Sequence, residues 1–189
     1  MKHILTLALA LAFGASAANA ATYQIDEHHA NARFAIRHFG TSTNIGGFFG
    51  LKGEIQWDAK KGTGKVDVVI PMTQLNSGVE AFDHHLKSAD IFNAEKYPEM
   101  RFVSTKFIAK DGKVEKVEGK LTMTGQTHPV TLNALNFNCY NSAMFENKEV
   151  CGGDFETVID RTKWGVNYLS GKGVPDEAKI TIQIEAVKK

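Results

Sequence analysis

Residues 180–186 run Ile-Thr-Ile-Gln-Ile-Glu-Ala, a strict alternation of apolar and polar side chains. A strand turns successive side chains to opposite faces, so Ile180, Ile182, Ile184 and Ala186 share one face and Thr181, Gln183 and Glu185 the other. The two-residue period returns at 33–39, 49–57, 65–70, 121–123 and 155–159. Many strands, each apolar on one face and polar on the other, specify a curled or stacked antiparallel sheet. Closed on itself, such a sheet encloses an apolar interior.

A separate signal precedes the strands. Lys2 gives a basic start, residues 4–13 form a short apolar run, and Ala18-Asn19-Ala20 fits a small-residue cleavage site. The run is too short for a helix crossing a hydrocarbon core of about 30 Å. The sequence therefore predicts a signal peptide over 1–20 and one mature domain over 21–189, soluble and either periplasmic or secreted. Without Lys2, acidic and basic residues balance. Neutrality with no basic cluster argues against nucleic acid as a partner and against electrostatic docking to anionic lipid. A membrane-spanning barrel needs an apolar outer band, which Arg33 and Arg37, or Thr181, Gln183 and Glu185, would interrupt.

Turns divide the mature chain. Gly46-Gly47 is expected to separate the first strand from a second over 48–58. Residues 60–64 lead into 65–71, and Asp111-Gly112 closes a hairpin between 100–109 and 113–124. Residues 125–129 turn into 130–138, strand 154–160 follows, and 165–173 is irregular. With Tyr23 to Ile25 joined to the first strand, about eight strands result. Between 76 and 92 the period changes: Val79, Phe82 and Leu86 are three and four apart, predicting a helix that buries them, capped by Asn76 or Ser77. The fold class is all-β, an eight-stranded antiparallel barrel with one short inserted helix.

In an exported chain the two cysteines, Cys139 and Cys151, are expected to form a structural disulfide across a long polar hairpin loop. Candidate zinc ligands are Asp26 with His28 or His29, and Asp83 with His84 or His85. Neither pair has i,i+4 spacing and no H-E-x-x-H occurs, so no metal is expected. There is no G-x-S-x-G and no evident nucleophile–base pair, so no catalytic residues are expected and the chain is not read as an enzyme.

The segments AFDHHLKSADIFNAEKYPEMRFVSTKF (81–107), GKLTMTGQTHPVTL (119–132) and IDRTKWGVNYL (159–169) resemble the signature stretches of the YceI-like family, in its order. Residues 23–30 and 48–50 resemble it too. The resemblance implies an extended lipocalin-like barrel of eight strands plus a helix. It implies a carrier of long isoprenoid or other amphiphilic lipids, isoprenoid quinones among them, with no cofactor beyond that ligand. One departure is that Phe82 stands before Asp83 where the family usually has arginine.

Periodicity alone favours a barrel filled by its own side chains; the resemblance favours a cavity. By parity, and with the family, the expected ligand-lining residues are Phe34, Ile36, His38, Phe49, Leu51, Val68, Ile70, Phe92, Met100, Phe102, Met123 and Phe155. His38 is placed toward the mouth, where its N–H suits a quinone oxygen. Asp83 and His85 match the family motif and are expected to fix the helix by local hydrogen bonds or to contact a head group. Arg161 is read as a pin paired with a carboxylate. The partner is thus a long-chain isoprenoid or similar amphiphile, with transient membrane contact and a homodimer both left open. The alternative is a secreted stress-response or surface-interaction protein with a side-chain-filled barrel.

Overall fold

The computed structural model describes residues 20–189; the predicted signal peptide, apart from Ala20, lies outside them. In chain order the elements are β1 (Ala21–Ile25), β2 (Asn31–His38), β3 (Ser42–Phe49), β4 (Lys52–Asp58), β5 (Thr63–Pro71) and β6 (Leu75–Asn76). Then come α1 (Glu80–Lys87), β7 (Glu99–Lys110), β8 (Lys113–Met123), β9 (Gln126–Ala134), β10 (Asn138–Ser142), β11 (Lys148–Asp160) and β12 (Glu177–Lys188). All pairings between named strands are antiparallel.

The ladder closes. Following hydrogen-bonded neighbours from β12 through β1, β4, β5, β7, β8, β9 and β11 returns to β12, a ring of eight strands. The remaining short strands extend ring members. β1 and β2 both pair with β12, at Ile25↔Ala186 and Phe34↔Ile180. β3 and β4 likewise pair with β2 and β1 in turn. β10 pairs with β11 beyond the point where β9 does. Closure removes the exposed edges that an open sheet would carry. The alternating residues of β12 fall as the pattern requires: Ile180, Ile182, Ile184 and Ala186 all face the interior.

Several boundaries differ from expectation. The first hairpin turns at Phe39 and Gly40, both with positive φ, and Gly46-Gly47 lies inside β3. The reason is packing: a Cβ on Gly46 would sit 2.5 Å from the Phe34 ring, which lies over the directly paired glycine. The expected single strand 48–58 is broken at Gly50, whose φ of +62° suits glycine. That break reverses parity before it, so Phe48 turns inward (6% exposed) and Phe49 outward (40%). The turn before β9 is shorter than 125–129, since Thr124 and Gly125 hold it and Gln126 already pairs with Met123. Asp111-Gly112 forms its hairpin as expected.

The helix is shorter than 76–92. Asn76 still pairs with Gly47 as strand, and α1 begins only after Gly78 and Val79. Neither Asn76 nor Ser77 caps it. Instead the Asp83 carboxylate accepts from the Ser77 N–H and hydroxyl, both at 2.6 Å, tying the first turn to the preceding chain. Ser88 ends it, donating through N–H and Oγ to the His85 carbonyl. Leu86 is buried and Phe82 half-buried, but Val79, at the N-cap, is 57% exposed.

Cys139 and Cys151 are directly opposed in the β10–β11 ladder and form the disulfide, with Cα atoms 4.1 Å apart. The intervening segment is mostly paired strand rather than a long loop, with its turn confined to 143–147.

Candidate functional site

Inside the barrel lies one large cavity of about 470 Å³, with almost wholly apolar walls. The size falls in the range of small-molecule binding sites, roughly 300–1,000 Å³. Every strand of the ring contributes, and α1 lies at one end.

The two ends differ. Beside α1 the lining residues Phe34, Ile36, Phe82, His85, Ile91 and Phe92 are half-exposed, and Tyr168 is 41% exposed. This is the mouth. At the opposite end Tyr23, Trp57, Val66, Val114 and Cys151 are buried. There Trp57 packs between Phe107 and Phe137, with ring centroids 5.8 and 5.7 Å away, and the tube is stopped. Gly64 on β5 and Ile70 near the far end of the same strand are six residues apart, about 20 Å at the rise of a strand.

Eleven of the twelve residues expected to line the interior do line the cavity: Phe34, Ile36, His38, Leu51, Val68, Ile70, Phe92, Met100, Phe102, Met123 and Phe155. Phe49 does not, because of the break at Gly50; Phe48 takes its place, with its ring 6.2 Å from Phe34 and 5.6 Å from Phe92. His38 closes β2 at the mouth, edge-on to Phe39 at 4.7 Å. His85 also lines the mouth, edge-on to Tyr168 at 4.7 Å. Asp83 is not in the wall, and its carboxylate is committed to Ser77. Those two hydrogen bonds, the one from the Ser77 hydroxyl foremost, hold its pKa below the usual value. Phe82, immediately before Asp83, presents an aromatic ring to the cavity.

Arg161 has the expected carboxylate partner, Asp176, and three carbonyl partners besides. Its guanidinium is buried and donates to the carbonyls of Pro175 (3.0 Å), Val166 (2.5 Å) and Val174 (3.3 Å), while Asp176 stands 4.0 Å away. Burial pushes its pKa down, against the two nearby aspartates. His28 and His29 sit in a 3-10 turn rather than a strand, and Asp26 accepts from the His28 N–H and meets His29 Nδ1 at 2.8 Å.

Several lining residues escaped the sequence reading. Trp57 shares parity with Ile55, and Tyr23 pairs with Ile55 across the ladder, so both were within reach of the period-two argument. Phe107 follows the register shift between Ser104 and Lys106, which moves it to the inner face. Tyr168 and Leu169 lie in irregular chain, where no period exists to read.

Comparison with known proteins agrees with this architecture. The YceI-like domain matches residues 23–186. A UPF0312 protein of Photorhabdus laumondii is 37% identical over 186 residues, covering 95% of this chain and 93% of its own. Protein YceI of Escherichia coli O157:H7 is 41% identical over 137 residues, 70% of this chain and 71% of that protein. Among solved structures, the Campylobacter jejuni YceI protein superposes with a TM-score of 0.71 at 27% identity, over 78% of this chain and 86% of that one. A polyisoprenoid binding domain from Saccharophagus degradans shares the fold, with a TM-score of 0.60 at 10% identity over 88% of this chain and 98% of its own. Matched along nearly all of its described length, the chain belongs to the YceI-like domain family.

Proposed function

We propose that this protein carries or stores a long amphiphilic lipid, an isoprenoid or isoprenoid quinone, inside its barrel and does not transform it. The observation that carries the reading is the apolar cavity of about 470 Å³ running from a half-exposed mouth to an aromatic stop. The polyisoprenoid-binding function of the Saccharophagus degradans domain, which has the same fold, supports it. A barrel filled by its own side chains, the alternative reading, fits this interior poorly.

The energetics suit exchange. Burying each isoprene unit is worth a few kcal/mol against water at about 0.8 per methylene-sized group, and several units would exceed the affinity ceiling near −20 kcal/mol. A lipid's real alternative is a bilayer, so transfer into the barrel is nearly balanced in the hydrophobic term. Selection then falls to bore, length and polar groups. Phe39, Ile45, Val79 and Tyr168 are exposed on segments at the mouth end, which supports transient contact with a membrane there. The leader-like residues 1–20 support an exported, periplasmic or secreted location.

Mass spectrometry of organic extracts from purified native and recombinant protein tests the carrier reading. A lipid at about one per chain is expected; its repeated absence from both preparations refutes the proposal. Stoichiometric lipid that is chemically converted on incubation would refute the carrier-only part.

A further inference from the structure

The two ends of the cavity offer a ligand different surroundings. His38 and Asn44 lie near each other on the inner face of the β2–β3 hairpin, where Asn44 pairs with Ile36, and His85 meets Tyr168 across the mouth. None of these four side chains is spent on a hydrogen bond among the described residues. At the closed end the wall is aromatic and aliphatic. There the Tyr23 hydroxyl is committed to Glu149, and the Trp57 indole N–H has no accessible surface. A polar group is therefore solvated at the mouth and stranded at the far end.

The apolar length between those ends is fixed by the strands. On β12 every second residue from Ala178 to Ala186 lines the cavity. Ala178 pairs with Ile159 towards the mouth and Ala186 with Cys151 at the closed end. Eight residue steps cover about 26 Å at the rise of a strand, or about 20 Å along the axis of a barrel whose strands tilt by roughly 35–45°. At about 1.5 Å per carbon–carbon bond, an extended isoprene unit with its four chain bonds spans about 5 Å. The rings of Trp57, Phe107 and Phe137 bar further travel, because they pack on one another across the closed end.

We infer that the barrel selects its lipid by chain length, with the Trp57, Phe107 and Phe137 rings as the stop of a ruler. The polar group stays at the mouth, the terminal methyl groups reach the rings, and about four isoprene units are enclosed. The inference rests on the carrier reading and adds to it the chain length that is selected. Any further unit has to leave the bilayer and stand in water at the mouth, which disfavours longer chains. Shorter ones fit without reaching the stop. Length is thus set by three side chains, and smaller residues at those positions move it.

The test loads the mature protein from phosphatidylcholine vesicles carrying an equimolar set of prenols: farnesol, geranylgeraniol, geranylfarnesol and octaprenol. Mass spectrometry of the re-isolated protein gives the retained amount of each. Retention is expected to hold up to geranylgeraniol and to fall by at least about tenfold for octaprenol, since each methylene-sized group left in water is worth about fourfold. Trp57→Leu and Phe137→Leu, tested separately, should each raise geranylfarnesol relative to geranylgeraniol by about threefold or more, as expected when part of one further unit is enclosed. Octaprenol retained as well as geranylgeraniol overturns the inference, because the chain is then folded back or held outside the tube. A cut-off unmoved in the folded variants overturns the role of the rings. Phe137 is only half-buried, so its variant decides the matter if Trp57→Leu does not fold. If no prenol is retained at all, the carrier reading itself fails, a result distinct from retention without a cut-off.

Discussion

Arg161 offers the sharpest test of how the mouth is built. It begins the 3-10 turn Arg161–Trp164 that follows β11, and its guanidinium bonds carbonyls at both ends of the 165–176 segment: Val166 at the start, Val174 and Pro175 near the finish. That segment supplies Tyr168, Leu169 and Val174 to the cavity wall. Arg161→Met keeps much of the buried stem and removes all three donors. An orphaned buried carbonyl costs about 1–3 kcal/mol. Two effects reduce the sum: part of the loop can turn its carbonyls to water, and the variant no longer keeps a charge in a site whose burial lowers the arginine pKa. A net loss of about 2–4 kcal/mol remains. For a domain of this size that is roughly 5–15 °C in Tm. Urea unfolding gives the free energy, and hydrogen exchange at 165–174 shows where it is lost. Arg161→Lys should recover less than half, since one ammonium cannot serve three carbonyls spread across a planar fork. A variant within about 0.5 kcal/mol of wild type, with unchanged exchange protection in the loop, would refute the pin.

Other outcomes follow from the same geometry. Phe34→Asp puts a carboxylate into the apolar wall and should abolish lipid retention, whereas Lys60→Asp, in the exposed turn before β5, should not; lipid content after matched purification decides it. Replacing both Cys139 and Cys151 with serine releases a short closed loop (sequence separation 12) and should cost about 3 kcal/mol in the chain-entropy model, read as a lower urea midpoint that reducing agent reproduces in the wild type. Tyr23 donates to Glu149 Oε1 at 2.6 Å, a bond that lowers the Glu149 pKa. Burial, with that bond, raises the Tyr23 pKa above 10. Glu149 therefore adds stability above its unfolded pKa near 4.5 that fades as pH falls through its lower folded value. Tyr23 adds stability below pH 10 that is lost as pH rises through its folded value. Tyr23→Phe should flatten the alkaline side of the stability–pH profile and weaken the acid side, and an unchanged profile would show that the pair contributes nothing.

How far the sequence reveals this protein depends on whether a feature is local. Asp111-Gly112 carries its own turn geometry, and the β12 alternation carries its own inner face, so both are legible from a few residues. Gly46-Gly47 looks equally like a turn. Its role is set by Phe34 on the neighbouring strand, whose ring needs the missing Cβ, and that partner is known only once the hairpin at Phe39-Gly40 is in place. Phe49 fails for a related reason: one residue with positive φ at Gly50 exchanges the faces of Phe48 and Phe49 relative to the strand after it, and period-two patterns do not register a single break. Asp83 and Arg161 are recognisable as special residues, but their partners, Ser77 and three loop carbonyls, are groups that any sequence contains.

The hollow itself is the least local property. A ring of eight strands is narrow enough for side chains to fill, and the inward residues here are not unusually small. The space depends on how rings lie against the wall. Phe34 over Gly46, Phe102 over Gly119 and Phe107 over Gly64 each cover a site where a Cβ would come within 3 Å of the aromatic carbons. Filling those glycines should therefore drive the rings inward and shrink the bore before it unfolds the barrel. Gly46→Ala is the cleanest case, because its Cβ would stand 2.5 Å from Phe34 Cζ with the nearest backbone atom at 3.4 Å, and Phe34 lines the cavity. Overpacking of this kind costs about 1–3 kcal/mol, so a folded protein with reduced capacity for long-chain lipid is the expected product. A Gly46→Ala protein that folds and loads as much lipid as wild type would show that the wall has slack, and that wall packing does not set the bore.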